Sequence, residues 1–317
     1  ICFVLFVFQF IFKNKKSFIN PSLFLALLLI FLFPLVYIYL TNAAVYDKWR
    51  HVSFIIFALL ILGLIGLKNI KNASLNLKFA IYGIVFIFFV KTMTWNIINY
   101  PLQTAYWNEL IGGTKGAWLK QELDPQTQAT RPAFEWLIKS KAFKDLIPLR
   151  DSNNPIIIAT NSSGLNQNEM DLPASLKNKI KIVETGFKGG YSSFHWDFGL
   201  FGTIFVAPQI LNVAFPPSKG VMKVISVDGV PIEVVVHREN DFDVIAFNAM
   251  NQQNLPLAAE NFQKAYNYDP NNFRIWSYYA YILYQQGNVS QARMLAQQYL
   301  ELFPDDQLAN QIMGNQP

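Results

Sequence analysis

Between two apolar runs of this chain lies a compact ionisable cluster, Tyr46-Asp47-Lys48-Trp49-Arg50-His51. Two chemistries suit it. Tyr46, Trp49 and the two cations can form an aromatic and basic belt at a bilayer boundary, the common use of such residues at span ends. Alternatively, Lys48 or Arg50 holds a lipid-linked phosphate while Asp47 orients one of them, because a guanidinium matches phosphate oxygens with a two-pronged fork. His51 belongs to the same candidate phosphate group. Lys91 is the other ionisable side chain of interest, since it interrupts an apolar run. It lies thirteen residues beyond Lys78, about 20 Å along a helix. There it either snorkels to the interface beside Trp95 or contacts the same phosphate.

Two further groups could touch an acceptor or an interface. Tyr106, Asn108 and Glu109 fall in the aromatic stretch Tyr100 to Gly113, which follows the last apolar run and is expected to lie along the membrane surface. His195 and Asp197 flank Trp196 in a glycine-rich, aromatic stretch from Gly186 to Gly202. Aromatic rings beside polar groups suit sugar faces, and a purely structural loop is the competing reading. Histidines occur only at 51, 195 and 237, and no His/Cys/Asp/Glu spacing forms a zinc site. The sequence names no cofactor and leaves a divalent metal open. Cys2 is the single cysteine, so no intrachain disulfide is available.

The elements that must position these groups begin with four apolar runs, Ile1 to Phe12, Leu23 to Leu40, Val52 to Leu67 and Phe79 to about Ile98. A span needs roughly 20 apolar residues. The second and fourth are long enough, the third needs Trp49 and His51 to complete it, and the first reads as a truncated span. A chain that begins with Ile1 is read here as the C-terminal piece of a longer protein. Lys13, Lys15 and Lys16, then Lys68, Lys71 and Lys78, fill two loops without acidic residues, which makes those loops cytoplasmic. The Asp47 to His51 cluster and everything after Ile98 then lie outside the cytoplasm. Residues 1–97 hold nine Lys/Arg against one acid, whereas residues 98–317 hold seventeen against twenty. The large polar part therefore has no basic footprint for nucleic acid.

Residues 1–98 are thus expected to be membrane helices and residues 99–240 an extracytoplasmic domain. Arg131 to Lys144 carries Phe134, Leu137, Ile138 and Phe143 at helical spacing. Pro155 to Thr160, Ile180 to Glu184, Gly202 to Ala207, Gly220 to Val227 and Val230 to Arg238 read as strands. Asp228-Gly229 between the last two is a hairpin signal. A helix before mixed strands gives a small α/β or α+β domain.

Residues 241–317 contain a repeat. A shift of 34 residues superposes Ala246 on Ala280, Gln252 on Gln286, Asn254 on Asn288, Ala258 on Ala292 and Pro270 on Pro304, which is the tetratricopeptide period. It predicts two helix pairs, Phe242 to Gln253 with Leu255 to Asn267, and Phe273 to Gln286 with Val289 to Phe303. Two units fall short of a free-standing solenoid. They should dock on the α/β domain or on a protein partner.

Three stretches, Tyr46 to Phe54, Tyr106 to Gly113 and Val227 to Val235, resemble bacterial membrane glycosyltransferases of the C-type superfamily, in particular the protein O-mannosyltransferase and aminoarabinose transferase group. The resemblance covers roughly residues 20–240. It implies transfer of a hexosyl or pentosyl unit from a polyprenyl-phosphate donor on the extracytoplasmic side, with Arg50 and Lys48 stabilising the departing lipid phosphate. It also implies a catalytic acid in an early exterior loop upstream of residue 1, so that these 317 residues alone are inactive. The rival reading is a membrane-anchored tetratricopeptide adaptor, which uses the apolar runs as an anchor and the repeats to recruit protein partners.

Overall fold

The computed structural model describes residues 21–41, 54–69, 74–162, 164–165, 172–187 and 194–314. The chain divides into two compact units, residues 1–97 and 98–317.

In the first unit, α1 runs from Pro21 to Thr41, α2 from Ile55 to Asn69 and α3 from Leu75 to Ile98. Among the described residues, only α1 and α3 are long and apolar enough to cross a membrane. The expectation of about four spans is therefore corrected. The third run forms a helix of 15 residues, short of a bilayer's thickness, and the first run lies outside the described residues. Phe24 and Leu27 of α1 pack on Ala58 and Leu62 of α2. Most other side chains of α1 and α3 are apolar and exposed, a surface suited to lipid or to further helices.

The second unit opens with two 3-10 turns, Gln103–Ala105 and Glu109–Ile111, and a short helix α4, Gly113–Ala117. Helices α5 (Thr130–Lys139) and α6 (Lys141–Leu146) follow. The single helix expected over Arg131 to Lys144 is thus broken at Ser140, whose extended backbone and side chain cap α6 by accepting from the Phe143 amide. Next come β1 (Ile156–Thr160), α7 (Ala174–Lys177), β2 (Ile180–Glu184), β3 (Phe198–Gly202), α8 (Pro208–Ala214), β4 (Val221–Val227) and β5 (Val230–His237). The sheet order is β2-β1-β3-β5-β4, with the first three strands parallel and β5 antiparallel to both β3 and β4. Asp228 and Gly229 both have positive φ, 53° and 78°, as a type I′ hairpin turn requires.

One expected strand is misplaced. After Gly202 the chain turns and reaches the N-cap of α8 at Ala207, and the strand lies just before, over Phe198 to Gly202. Its glycines read as loop residues, yet Gly199 is needed inside the strand. A Cβ there would sit 2.3 Å from the ring of Phe201, which folds across it.

The sheet is covered on both faces, and alternation assigns its residues. Ile156, Ile158, Phe198, Leu200 and Val235 pack with Ala133, Phe134 and Leu137 of α5 and Phe143 of α6. Ala159, Phe201, Val234 and Val236 belong to a second core shared with α8 and the C-terminal helices. Those are α9 (Phe242–Asn251), α10 (Leu255–Tyr268), α11 (Trp276–Gln285, entered through a 3-10 turn), α12 (Val289–Leu302) and α13 (Gln307–Met313). Ala246, Ala258, Ala280 and Ala292, the superposed small residues, are all fully buried where paired helices approach. The unforeseen α13 closes the stack with Ala309 and Ile312. Two helix pairs thus gain what a longer array would supply, from the sheet and from α13.

Candidate functional site

Three polar arrangements stand out in the second unit, and the first is built where fold rules place ligands. Loops leaving β1 and β3 diverge, β1 toward β2 and β3 toward the far side of the sheet, so their carboxyl ends form a topological switch point. Asn161 bridges the two loops. Its Nδ2 donates to the carbonyls of Gly202 at 2.9 Å and Ile204 at 3.1 Å, and its Oδ1 accepts from the Gly202 amide at 2.8 Å. Glu233 enters from β5, paired in register with Gly202, and its side chain points to the α5 face. Thr130, the first residue of α5, places its Oγ1 3.0 Å from Glu233 Oε2 and 3.1 Å from Ser162 Oγ. Glu233 Oε1 has no hydrogen-bond partner among the described residues.

Burial pushes the Glu233 carboxyl up to about 8, against the hydrogen bond from Thr130 and with help from the charge of Asp124. Asp124 is itself satisfied: it accepts from Thr104 Oγ1 at 2.8 Å and from the amides of Gln128 and Ala129 at 3.0 and 2.8 Å. Glu233 is therefore a neutral acid at pH 7, able to donate a hydrogen bond or a proton. With only 1% of its surface exposed it is sealed from solvent, and it is held by Thr130 of α5, which also reaches Ser162 in the loop after β1.

The second arrangement lies at the opposite, amino edge of the sheet and contains the predicted His195 and Asp197. The Asp197 carboxylate accepts from the Ile157 amide at 2.8 Å and pairs with Arg150. His195 Nδ1 lies 2.9 Å from Asp241 Oδ2, and its Nε2 lies 3.7 Å from Asp197 Oδ1. Arg238, just past β5, stacks over Trp196 at 5.1 Å, bonds Asp241 at 2.5 Å and pairs with Asp243 in the first turn of α9. Burial alone would raise Asp241, but hydrogen bonds from His195 and Arg238 and the Arg238 charge hold it below its usual value. For Asp243 burial wins, and its carboxyl rises to about 6 despite Arg238. The chain of charges joins β1, β3 and β5 to the repeats. It is a clamp rather than an open site.

The other predicted residues, where described, belong to neither arrangement. Asp47, Lys48, Arg50 and His51 lie outside the described residues. Lys91 is exposed on α3, one turn before Trp95. Tyr106 and Glu109 are half-buried and Asn108 is exposed in the segment before α4. That segment is joined to the β4–β5 turn by Thr114, whose Oγ1 lies 3.1 Å from the Ala105 carbonyl and 2.8 Å from Asp228 Oδ2. No group of three or more His, Cys, Asp or Glu suited to a metal occurs among the described residues.

The third arrangement is an open cleft of about 180 Å³ between α10 and α12, floored by Tyr279 of α11. Tyr266, Met294 and Leu295 give it apolar surface, while Gln263, Asn267, Gln291 and Gln298 ring it with amides. Amides offer donors and acceptors together, the pattern that a peptide backbone matches. No Lys, Arg, Asp or Glu lines it. Sequence reading missed both this cleft and Glu233, although the 34-residue period had placed the helices that build the former.

No curated protein and no solved structure matches the chain. The tetratricopeptide repeat family model matches residues 249–315, and the repeats suggest a protein-interaction role for this end of the chain.

Proposed function

We propose that this chain is a membrane-tethered module that binds a polypeptide through its C-terminal repeats, with α1 and α3 as the tether. The observation that carries this reading is the distribution of surfaces on the repeats. One side of the helix pairs is buried in the core shared with β3, β5 and α8, and α13 covers the end, while the amide-ringed cleft between α10 and α12 stays open. A photo-crosslinking residue in place of Met294, which is 58% exposed, should give an adduct of defined mass in native membranes. The same residue in place of Ile245 on α9 should not. Asn267→Trp, which fills the cleft, should abolish the adduct; a Met294 adduct that survives it, or no adduct at all, would sink the reading.

A second reading keeps the resemblance to polyprenyl-phosphate-dependent glycosyltransferases, in which this chain supplies the later helices and the extracytoplasmic domain. What favours it is the Thr114 to Asp228 contact, which brings together the regions of two of the three resembling stretches although they are 114 residues apart. Its test is sugar transfer by the longest protein that contains this chain, with and without Arg50→Ala. The expected result is loss of transfer in the variant, and equal rates would remove the phosphate role.

A further inference from the structure

Phe205 sits in the turn after β3 with 88% of its surface exposed, the highest of any large apolar side chain among the described residues of the second unit. Its backbone is left-handed, with φ of 56°, a conformation that a bulky side chain rarely adopts. The turn is not loose. Ile204 and Val206 on either side are buried, Asn161 holds the Ile204 carbonyl, and the Phe205 amide lies 3.4 Å from Glu122 Oε1. The fold therefore fixes a strained turn whose result is to hold one phenyl ring out in solvent, and residues held in this way cluster at functional sites.

The segments tied to this turn through the Phe205 amide indicate what the ring meets. The loop carrying Glu122 also carries Asp124 and Gln128, which bond Thr104 through its side chain at 2.8 and 3.1 Å. Thr104 belongs to the segment that follows α3, where Tyr100 is 77% exposed and Ile111 is 42% exposed. Lys115 and Lys120 are exposed along the same stretch, and Lys120 stands two residues from Glu122. Exposed aromatic and aliphatic side chains mixed with lysines, on a segment that continues an apolar helix, have the composition of a bilayer interface. Rings take the headgroup level there and ammonium groups meet lipid phosphates.

We propose that Phe205 is an interfacial anchor that inserts into the headgroup region of the bilayer. The inference rests on the tether reading above, and it adds a second, non-covalent attachment from a loop about 100 residues distant in sequence. The test uses the full chain with Cys2→Ser and a single new cysteine, Phe205→Cys or Leu149→Cys, labelled with the fluorophore NBD. Leu149 is 75% exposed and precedes β1, at the amino edge of the sheet. The probe surface is phosphatidylcholine and phosphatidylglycerol vesicles carrying a doxyl quencher at the fifth acyl carbon.

Flotation is read first. A chain that does not float with the vesicles overturns the tether and the anchor together. In a floating chain, the label at 205 should shift its emission to the blue and lose intensity to the quencher, while the label at 149 stays unquenched. A floating chain whose label at 205 behaves like the one at 149 overturns the anchor and leaves the tether standing.

Discussion

Glu233→Gln should raise the thermal midpoint of this protein at pH 8 and leave it nearly unchanged at pH 4. The carboxyl is fully buried, and its folded value is pushed up to about 8 from 4.5. Above pH 4.5 the unfolded chain releases a proton that the folded chain retains, so unfolding is favoured progressively as pH rises. The stability present below pH 4.5 is lost across the window from about 4.5 to about 8 and then levels off. A shift of this size corresponds to on the order of 4 kcal/mol over the whole window. Glutamine keeps the shape, still accepts from Thr130 and has no proton to lose, so the variant should lack this part of the pH slope and gain about 3 kcal/mol at pH 8. Denaturant unfolding of both proteins at several pH values checks it. A variant with the wild-type slope, or one less stable than wild type at pH 8, would mean that Glu233 is ionised in the folded protein.

The same residue shows how much of the molecule the sequence discloses. Val230 to Val236 alternates enough to be read as a strand, and the Asp228-Gly229 turn fixes its partner, because both signals are local. In an alternating strand a glutamate is ordinarily taken as the solvent-facing member. Here both faces of the sheet are covered, one by α5 and α6 and the other by the repeats, so the face that should be wet is dry. Burial of Glu233 depends on where α5 begins, a fact about contacts 103 residues apart. The repeats were legible for the opposite reason. A 34-residue period, small residues at the helix crossings and proline after each second helix are all written into the chain itself. The cleft between α10 and α12 was less legible, since it depends on which repeat surface the sheet leaves free.

The predicted site residues divide on the same physical line. His195 and Asp197 were noticed for their types, and the structure gives them partners that no spacing reveals: Asp241 from the start of the repeats and the amide of Ile157 in β1. Their neighbourhood is crowded with ion pairs because a junction between a sheet and a helical array leaves polar chain ends that need satisfying. In the fold these side chains bridge β1 and β3 to the start of the repeats.

That junction supports the last expectation. Arg238→Met should destabilise the protein by about 3–5 kcal/mol, the usual cost of removing one partner from a buried ion pair. The side chains of Arg238 and Asp243 are 2% and 1% exposed, so the aspartate left behind can reach no water. Methionine fills most of the arginine's volume, which separates the lost charge from a cavity effect, although the stacking on Trp196 is lost as well. The Asp243 carboxyl already rises to about 6 beside Arg238 and loss of that charge raises it further, so the orphaned aspartate in Arg238→Met should be protonated at pH 5 and recover part of the loss. Adding Asp243→Leu should recover more, since two apolar side chains in place of a buried pair leave no unpaired charge. The double variant is thus expected to be more stable than Arg238→Met alone, and denaturant midpoints for the two single variants and the double give the coupling directly. If the two losses simply add, the pair is not the clamp between β5 and α9. The repeats would then be held to the sheet by the apolar core around Trp196, Phe201 and Phe247 alone.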